Sequence, residues 1–124
     1  MNPEAIMMVL SNANPAREQE FNDWYSDIHV VEVVKDLDGF DMAQRWRLSA
    51  DQVEDTAPYR YLAIYRIKPG KLEVARAAIE EQRVERAAAL AAGREPRIKL
   101  DLTLFKGQHV VWFYESLTEV VSGS

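Results

Sequence analysis

Cysteine is absent from the 124 residues, which excludes disulfides, thiolate metal sites and a cysteine nucleophile. The absence also fits a reducing cytoplasm, the expected location. Histidine occurs twice, as His29 and His109, with no H-x-x-x-H spacing between them. Too few ligands remain for a metal centre, and none is expected. Glycine and proline number five each, and neither a glycine-rich phosphate loop, a G-x-S-x-G elbow nor a dinucleotide fingerprint appears. Nucleotide-dependent chemistry and serine hydrolysis have no support.

Long apolar runs are also missing. No stretch approaches the ~20 residues of a membrane span. Met1 to Leu10 carries an apolar run without a basic region or a small-residue cleavage site, so it reads as a first strand rather than a secretion signal. Positive charge is in deficit, with 15 Lys and Arg against 20 Asp and Glu and a net charge of −5. No basic cluster outweighs its acidic neighbours, so neither nucleic acid nor an anionic membrane is an expected partner.

What remains is ample core material, 48% hydrophobic, in a chain of the size of one domain spanning 1–124. Ala5 to Asn12 is a short apolar run suited to a strand buried on both faces. Asn14-Pro15 is an N-cap followed by proline at the first helical position. Glu18 and Glu20 then favour the positive end of the helix dipole. Phe21, Trp24, Tyr25, Ile28 and His29 fall at helical spacing on one face. The β-branched Val30, Val31, Val33 and Val34 are expected to weaken the helix beyond His29, and Asp38-Gly39 ends it.

Phe40 to Leu48 alternates as a strand. Phe40, Met42, Gln44, Trp46 and Leu48 share one face, and Asp41, Ala43, Arg45 and Arg47 the other. Ser49 to Pro58 is a polar loop, and Tyr61 to Lys68 is a third strand closed by Pro69-Gly70. Lys71 to Ala92 is a second helix with Leu72, Ala75, Ile79 and Gln82 inward, ended by Gly93 and Pro96. His109 to Glu115 is the last strand, and Leu100 to Phe105 is a candidate short one.

The order β-α-β-β-α-β predicts an α+β, ferredoxin-like fold: an antiparallel sheet with two helices on one face. Met7 to Leu10, Tyr61 to Tyr65 and Val110 to Tyr114 are apolar at consecutive positions, so both faces of these strands call for burial. Two helices cover only one face. A second copy packed on the other solves the problem symmetrically, so a homodimer is expected.

The segment Glu20 to His29, EFNDWYSDIH, followed by Asp38-Gly39-Phe40, Ala43-Gln44-Arg45 and Tyr61 to Tyr65, resembles EthD-like proteins of the dimeric α/β-barrel superfamily. These proteins share an F-x-x-W/Y-Y-x-x-x-H pattern in the first helix. One departure is Val30-Val31, where such chains often carry proline. The resemblance implies two sheets packed face to face, with a pocket between sheet and helices for small aromatic or polyketide-like molecules. It also implies chemistry of the lyase, dehydratase, decarboxylase or cyclase kind that needs no cofactor.

His29 is the residue the resemblance singles out, as a proton-transfer group at the pocket mouth; a structural histidine at a helix end is the competing reading. Tyr25, one turn earlier, can orient a substrate carbonyl or steady the imidazole. Glu32 polarises His29 if the helix continues. Arg45 waits for a carboxylate or phenolate if its face meets the helices, and is otherwise a surface or dimer residue. Trp24, Tyr65 and Trp112 are the candidate pocket walls, although Trp24 also suits the core. His109 lies opposite Trp112 and Tyr114 on the last strand, which argues against a two-histidine pair. The expected function is a cofactor-independent enzyme acting on an aromatic or polyketide-like carbonyl compound by His-mediated proton transfer. A non-catalytic metabolite-binding dimer is the alternative; a haem-binding or cofactor-free oxygenase role ranks behind both.

Overall fold

The computed structural model describes residues 3–123; Met1, Asn2 and Ser124 of the expected 1–124 domain lie outside the described residues. Strand β1 is Ala5–Ser11, and a 3-10 turn at Pro15–Arg17 leads into α1, Glu18–Trp24. A π turn at Tyr25–His29 joins α1 to α2, Val30–Asp36. Then come β2 (Phe40–Arg47), β3 (Tyr61–Ile67), the long helix α3 (Leu72–Ala91), a second 3-10 turn (Leu102–Leu104) and β4 (Val110–Glu115). The strands form one antiparallel sheet in the order β2-β3-β1-β4. This is the α+β, ferredoxin-like arrangement.

Alternation decides which side chains meet the helices. Met7, Val9, Tyr61, Ala63, Tyr65 and Ile67 are buried beneath Phe21, Tyr25, Val33, Ala75 and Ala78. Phe21 is fully enclosed; its ring meets those of Tyr25, Tyr61 and Phe105 at 5.1–5.4 Å. Each such aromatic contact adds about 0.5–1.5 kcal/mol beyond burial of area. The other sheet face carries Met8 beside Ile64 and Trp112, and Ile6 beside Tyr114. Met42, Trp46, Trp112 and Tyr114 stand there about half exposed.

Three local features depart from the sequence-based expectation. The first helix does not break in its valine run: Val30 N–H reaches back five residues to Tyr25 O, and α2 continues to Asp36. That π turn inserts a residue into the helical period, so Ile28 turns outward to 48% exposure while Val33 and Leu37 complete the inner stripe. Phe40 does not share a face with Met42. Phe40 pairs with Ile67 and Met42 with Arg66, leaving Asp41 as the extra residue of a bulge that reverses the alternation. The stretch Leu100–Phe105 is not a strand. Asp101 caps a 3-10 turn by accepting from Thr103 N–H at 2.9 Å, a side-chain bond that competes with a ladder. One isolated bridge, Ala13 to Phe105, is all the pairing it retains.

This turn also fixes where the first helix begins. Asn14 caps Ala16 N–H through Oδ1 and donates through Nδ2 to Thr103 O, while its backbone N–H bonds Leu104 O. At the other end Gly39, at φ +97°, brings the start of β2 against α3. A Cβ there would lie 2.9 Å from the Ala75 backbone.

Candidate active site

Between the sheet and the helices a cavity of about 70 Å³ remains. Its floor is Met7, Val9, Tyr65 and Val111 from the sheet. One wall is Tyr25, His29, Val33 and Leu37; the facing wall is Ile79, Gln82, Arg83 and Arg86 of α3. Ile98, Leu100, Phe105 and His109 close the remaining side. At roughly 10–15 Å³ per water centre the space holds several waters or a small ligand.

His29 sits in the π turn, with its ring stacked on Trp24 at 4.6 Å and 25° and met edge-on by Tyr25 at 5.2 Å. Burial pushes its pKa down to about 4, and the positive charges of Arg86, His109 and Arg45 act in the same direction. The imidazole is therefore neutral near pH 7. Its Nδ1 is shielded from solvent and has no hydrogen-bond partner. Glu32, on α2 as the continued helix requires, supplies none.

Tyr25 is buried, and that burial pushes its hydroxyl up to about 12. Tyr65 lines the same cavity, and burial raises its hydroxyl as well. Both stay protonated across the physiological range.

His29, Tyr25 and Tyr65 thus line one cavity. The other expected site residues do not join them. Trp24 stands behind His29 as its stacking partner, outside the lining. Trp112 lies on the open sheet face, because β4 puts Val111 and Phe113, not Trp112, toward the core. Arg45 does lie on the helix side, but α1 and the π turn consume it. Its guanidinium covers the Tyr25 ring at 4.4 Å and donates to Ser26 Oγ at 2.8 Å and Asn22 Oδ1 at 3.0 Å. It lines a separate surface depression with Gln19 and Tyr61.

The cavity contains residues that sequence reasoning missed or set aside. His109 does lie opposite Trp112 and Tyr114, but its side is the one that faces the helices. Both histidines therefore line the same space, with His109 packed on Phe105 at 5.3 Å. Burial, then Arg83 and Arg86, lower the His109 pKa. Arg83 and Arg86 continue the stripe of Ile79 and Gln82 at helical spacing, which was the available signal. Read from the sequence, that stripe ends at Gln82 and leaves both arginines unassigned.

Among the described residues, three buried side-chain polar atoms lack a hydrogen-bond partner: His29 Nδ1, Gln82 Oε1 and Arg86 Nε. All three belong to residues lining this cavity. An unsatisfied buried polar group costs about 1–3 kcal/mol. Such a concentration is what a site for a polar-functionalised small molecule requires. No three His, Asp or Glu side chains gather to hold a metal, and no helix is long and apolar enough to cross a membrane, among the described residues.

No protein-family model matches the sequence, and no curated protein matches it. Solved structures do. An EthD-like protein from Ralstonia eutropha superposes with a TM-score of 0.59 at 12% identity, over 97% of each chain. The haem-degrading protein MhuD from Mycobacterium tuberculosis, solved with two haems bound, gives 0.55 at 14% identity over 94% of this chain and 99% of that one. A monooxygenase from the gene ActVA-Orf6 of Streptomyces coelicolor, solved with nanaomycin D, gives 0.51 at 11% identity over 98% and 94%. At these identities the likeness shows the fold: this chain has the ferredoxin-like α+β fold that these three proteins share.

Proposed function

We propose that the chain is a cofactor-free enzyme of the lyase, cyclase or isomerase type, moving a proton on a small aromatic or polyketide-like carbonyl compound. The observation that carries this reading is the convergence of unpartnered polar atoms from His29, Gln82 and Arg86 on one otherwise largely apolar cavity. An apolar wall takes the ring, and the polar atoms take its oxygens. A monooxygenase solved with nanaomycin D and a haem-degrader solved with haem share this fold, which supports the reading of a small-molecule site.

The chemistry runs through a neutral imidazole. A carbonyl oxygen accepting from Tyr25 or Arg86 acidifies the adjacent C–H. His29 takes that proton, the C–H electron pair becomes an enolate, and its negative oxygen stays beside the guanidinium. As the enolate forms, its charge favours the imidazolium and offsets the burial that holds His29 low in the empty site. The imidazolium then returns the proton to a different atom, which completes an isomerisation, a ring closure or the loss of a leaving group. No external oxidant or metal enters this sequence.

A second copy completes the assembly in this proposal. Met42, Trp46, Trp112 and Tyr114 are 49–56% exposed on one sheet face, more apolar surface than a monomer normally leaves in water. The reducing cytoplasm remains the proposed location for a chain without cysteine.

Proton–deuterium exchange into a panel of aryl ketones and 1,3-diketones in D₂O, followed by NMR, tests the reading. The wild-type protein should exchange at least one of them faster than buffer does. His29→Gln should lose about 10²-fold or more of that rate. Exchange no faster than in buffer across the panel would leave a non-catalytic binding protein as the better account.

A further inference from the structure

Among the described residues, five of the ten arginines form ion pairs, while Arg45, Arg47, Arg83, Arg86 and Arg97 form none. Arg17, Arg60, Arg66, Arg76 and Arg94 each have a carboxylate oxygen within 4.0 Å. Arg86 does not: among the described residues its guanidinium makes no ion pair, and its Nε is shut from solvent with no acceptor. Its sequence neighbour Glu85 is turned away. That carboxylate accepts from Arg94 Nη1 at 3.0 Å and from the Arg97 backbone N–H at 3.1 Å. Arg83, one turn earlier, also lines the cavity and makes no ion pair among the described residues, although it is exposed; no Asp or Glu lines the cavity.

Gln82 supplies a second, independent observation. It is 3% exposed, and its Nε2 donates to Ile98 O at 3.3 Å while Oε1 faces no donor. A half-buried guanidinium with an idle N–H needs an acceptor, and a bidentate oxyanion suits it best. An idle carboxamide oxygen a few residues away needs a donor. Two arginines with no opposing carboxylate also give the space a positive potential.

We infer that the ligand of this cavity is an organic oxyanion, a carboxylate or acidic enol on a ring, that also carries a hydroxyl group. Arg86 takes the anionic oxygen, Arg83 guides it at the mouth, and Gln82 Oε1 accepts from the hydroxyl. This rests on the reading of the cavity as the ligand site and names the class of molecule that fills it.

Salicylate and its neutral analogue salicylamide are suitable probes, with binding measured by calorimetry on the full chain. Salicylate should bind about tenfold tighter or more, the scale of one charge-assisted hydrogen bond. Arg86→Gln should bring the two within about threefold, Arg86→Lys should keep part of the preference, and Arg76→Gln, outside the cavity, should keep all of it. Circular dichroism of each variant checks that it is folded. Equal binding of the two probes, no binding of either, or a preference that survives Arg86→Gln in a folded protein overturns the inference. The proton-transfer reading fails separately. An Arg86-dependent anion preference without ketone exchange removes the catalysis and leaves the ligand class; exchange without anion preference does the reverse.

Discussion

A histidine held neutral by its surroundings leaves a mark on stability as well as on chemistry. The His29 pKa is about 4 in the folded chain against an ordinary value of 6.5. The unfolded chain therefore takes up a proton that the folded one refuses. The stabilising effect of this site is complete above about pH 6.5 and is lost as pH falls toward 4, by up to about 3 kcal/mol. Urea unfolding at a series of pH values should show this loss in the wild type. His29→Gln should flatten it, leaving the smaller slope that His109, lowered in the same direction, contributes. An unchanged slope in the variant would mean that His29 titrates normally. At this scale the sequence was legible where type and spacing agree: Tyr25, His29 and Tyr65 do line one cavity. Arg86 was not legible, because a charged residue on an acidic, alanine-rich helix reads as surface until the sheet opposite it is placed. Trp112 was misplaced because its strand is apolar at consecutive positions, so periodicity alone does not say which face meets the helices.

Most element boundaries follow from local signals that act within a few residues. Asn14-Pro15 starts the first helix and Gly93 ends α3, at φ +71°, as their side chains require. The π turn and the bulge at Asp41 were not legible, since each adds one residue to an otherwise regular period. Both have consequences for the site. The π turn aims Ile28 outward while His29 lines the cavity, and the bulge swings Phe40 inward against Tyr65, 5.9 Å away. Gly39 is the point at which this reversal depends on backbone freedom. Its positive φ and the 2.9 Å approach to Ala75 both exclude a side chain. Gly39→Ala should therefore lower unfolding stability by about 2–3 kcal/mol, measured by denaturant midpoint. A change under about 0.5 kcal/mol would mean that β2 and α3 part easily.

For the whole molecule, the two sheet faces divide the work. The helix face encloses the cavity, and the open face is left with Met8, Ile64, Trp46 and Trp112. The proposed dimer follows from that imbalance, which was already visible in the sequence as apolar runs too continuous for one covered face. Light scattering after size exclusion should give twice the chain mass for the wild type. Trp112→Glu, placing a charge in the middle of the apolar face, should give a folded monomer. A monomeric wild type would contradict the dimer without touching the cavity.

The central claim is that the small molecule enters behind His29 and not on the open face. With two histidines and three tryptophans in the chain, an NMR sample labelled with ¹⁵N at both residue types reads the two faces at once. On adding salicylate, the imidazole signals of His29 and His109 should shift together, while the Trp46 and Trp112 indole signals stay in place. Shifts confined to Trp46 and Trp112, with both histidines unmoved, would contradict the account.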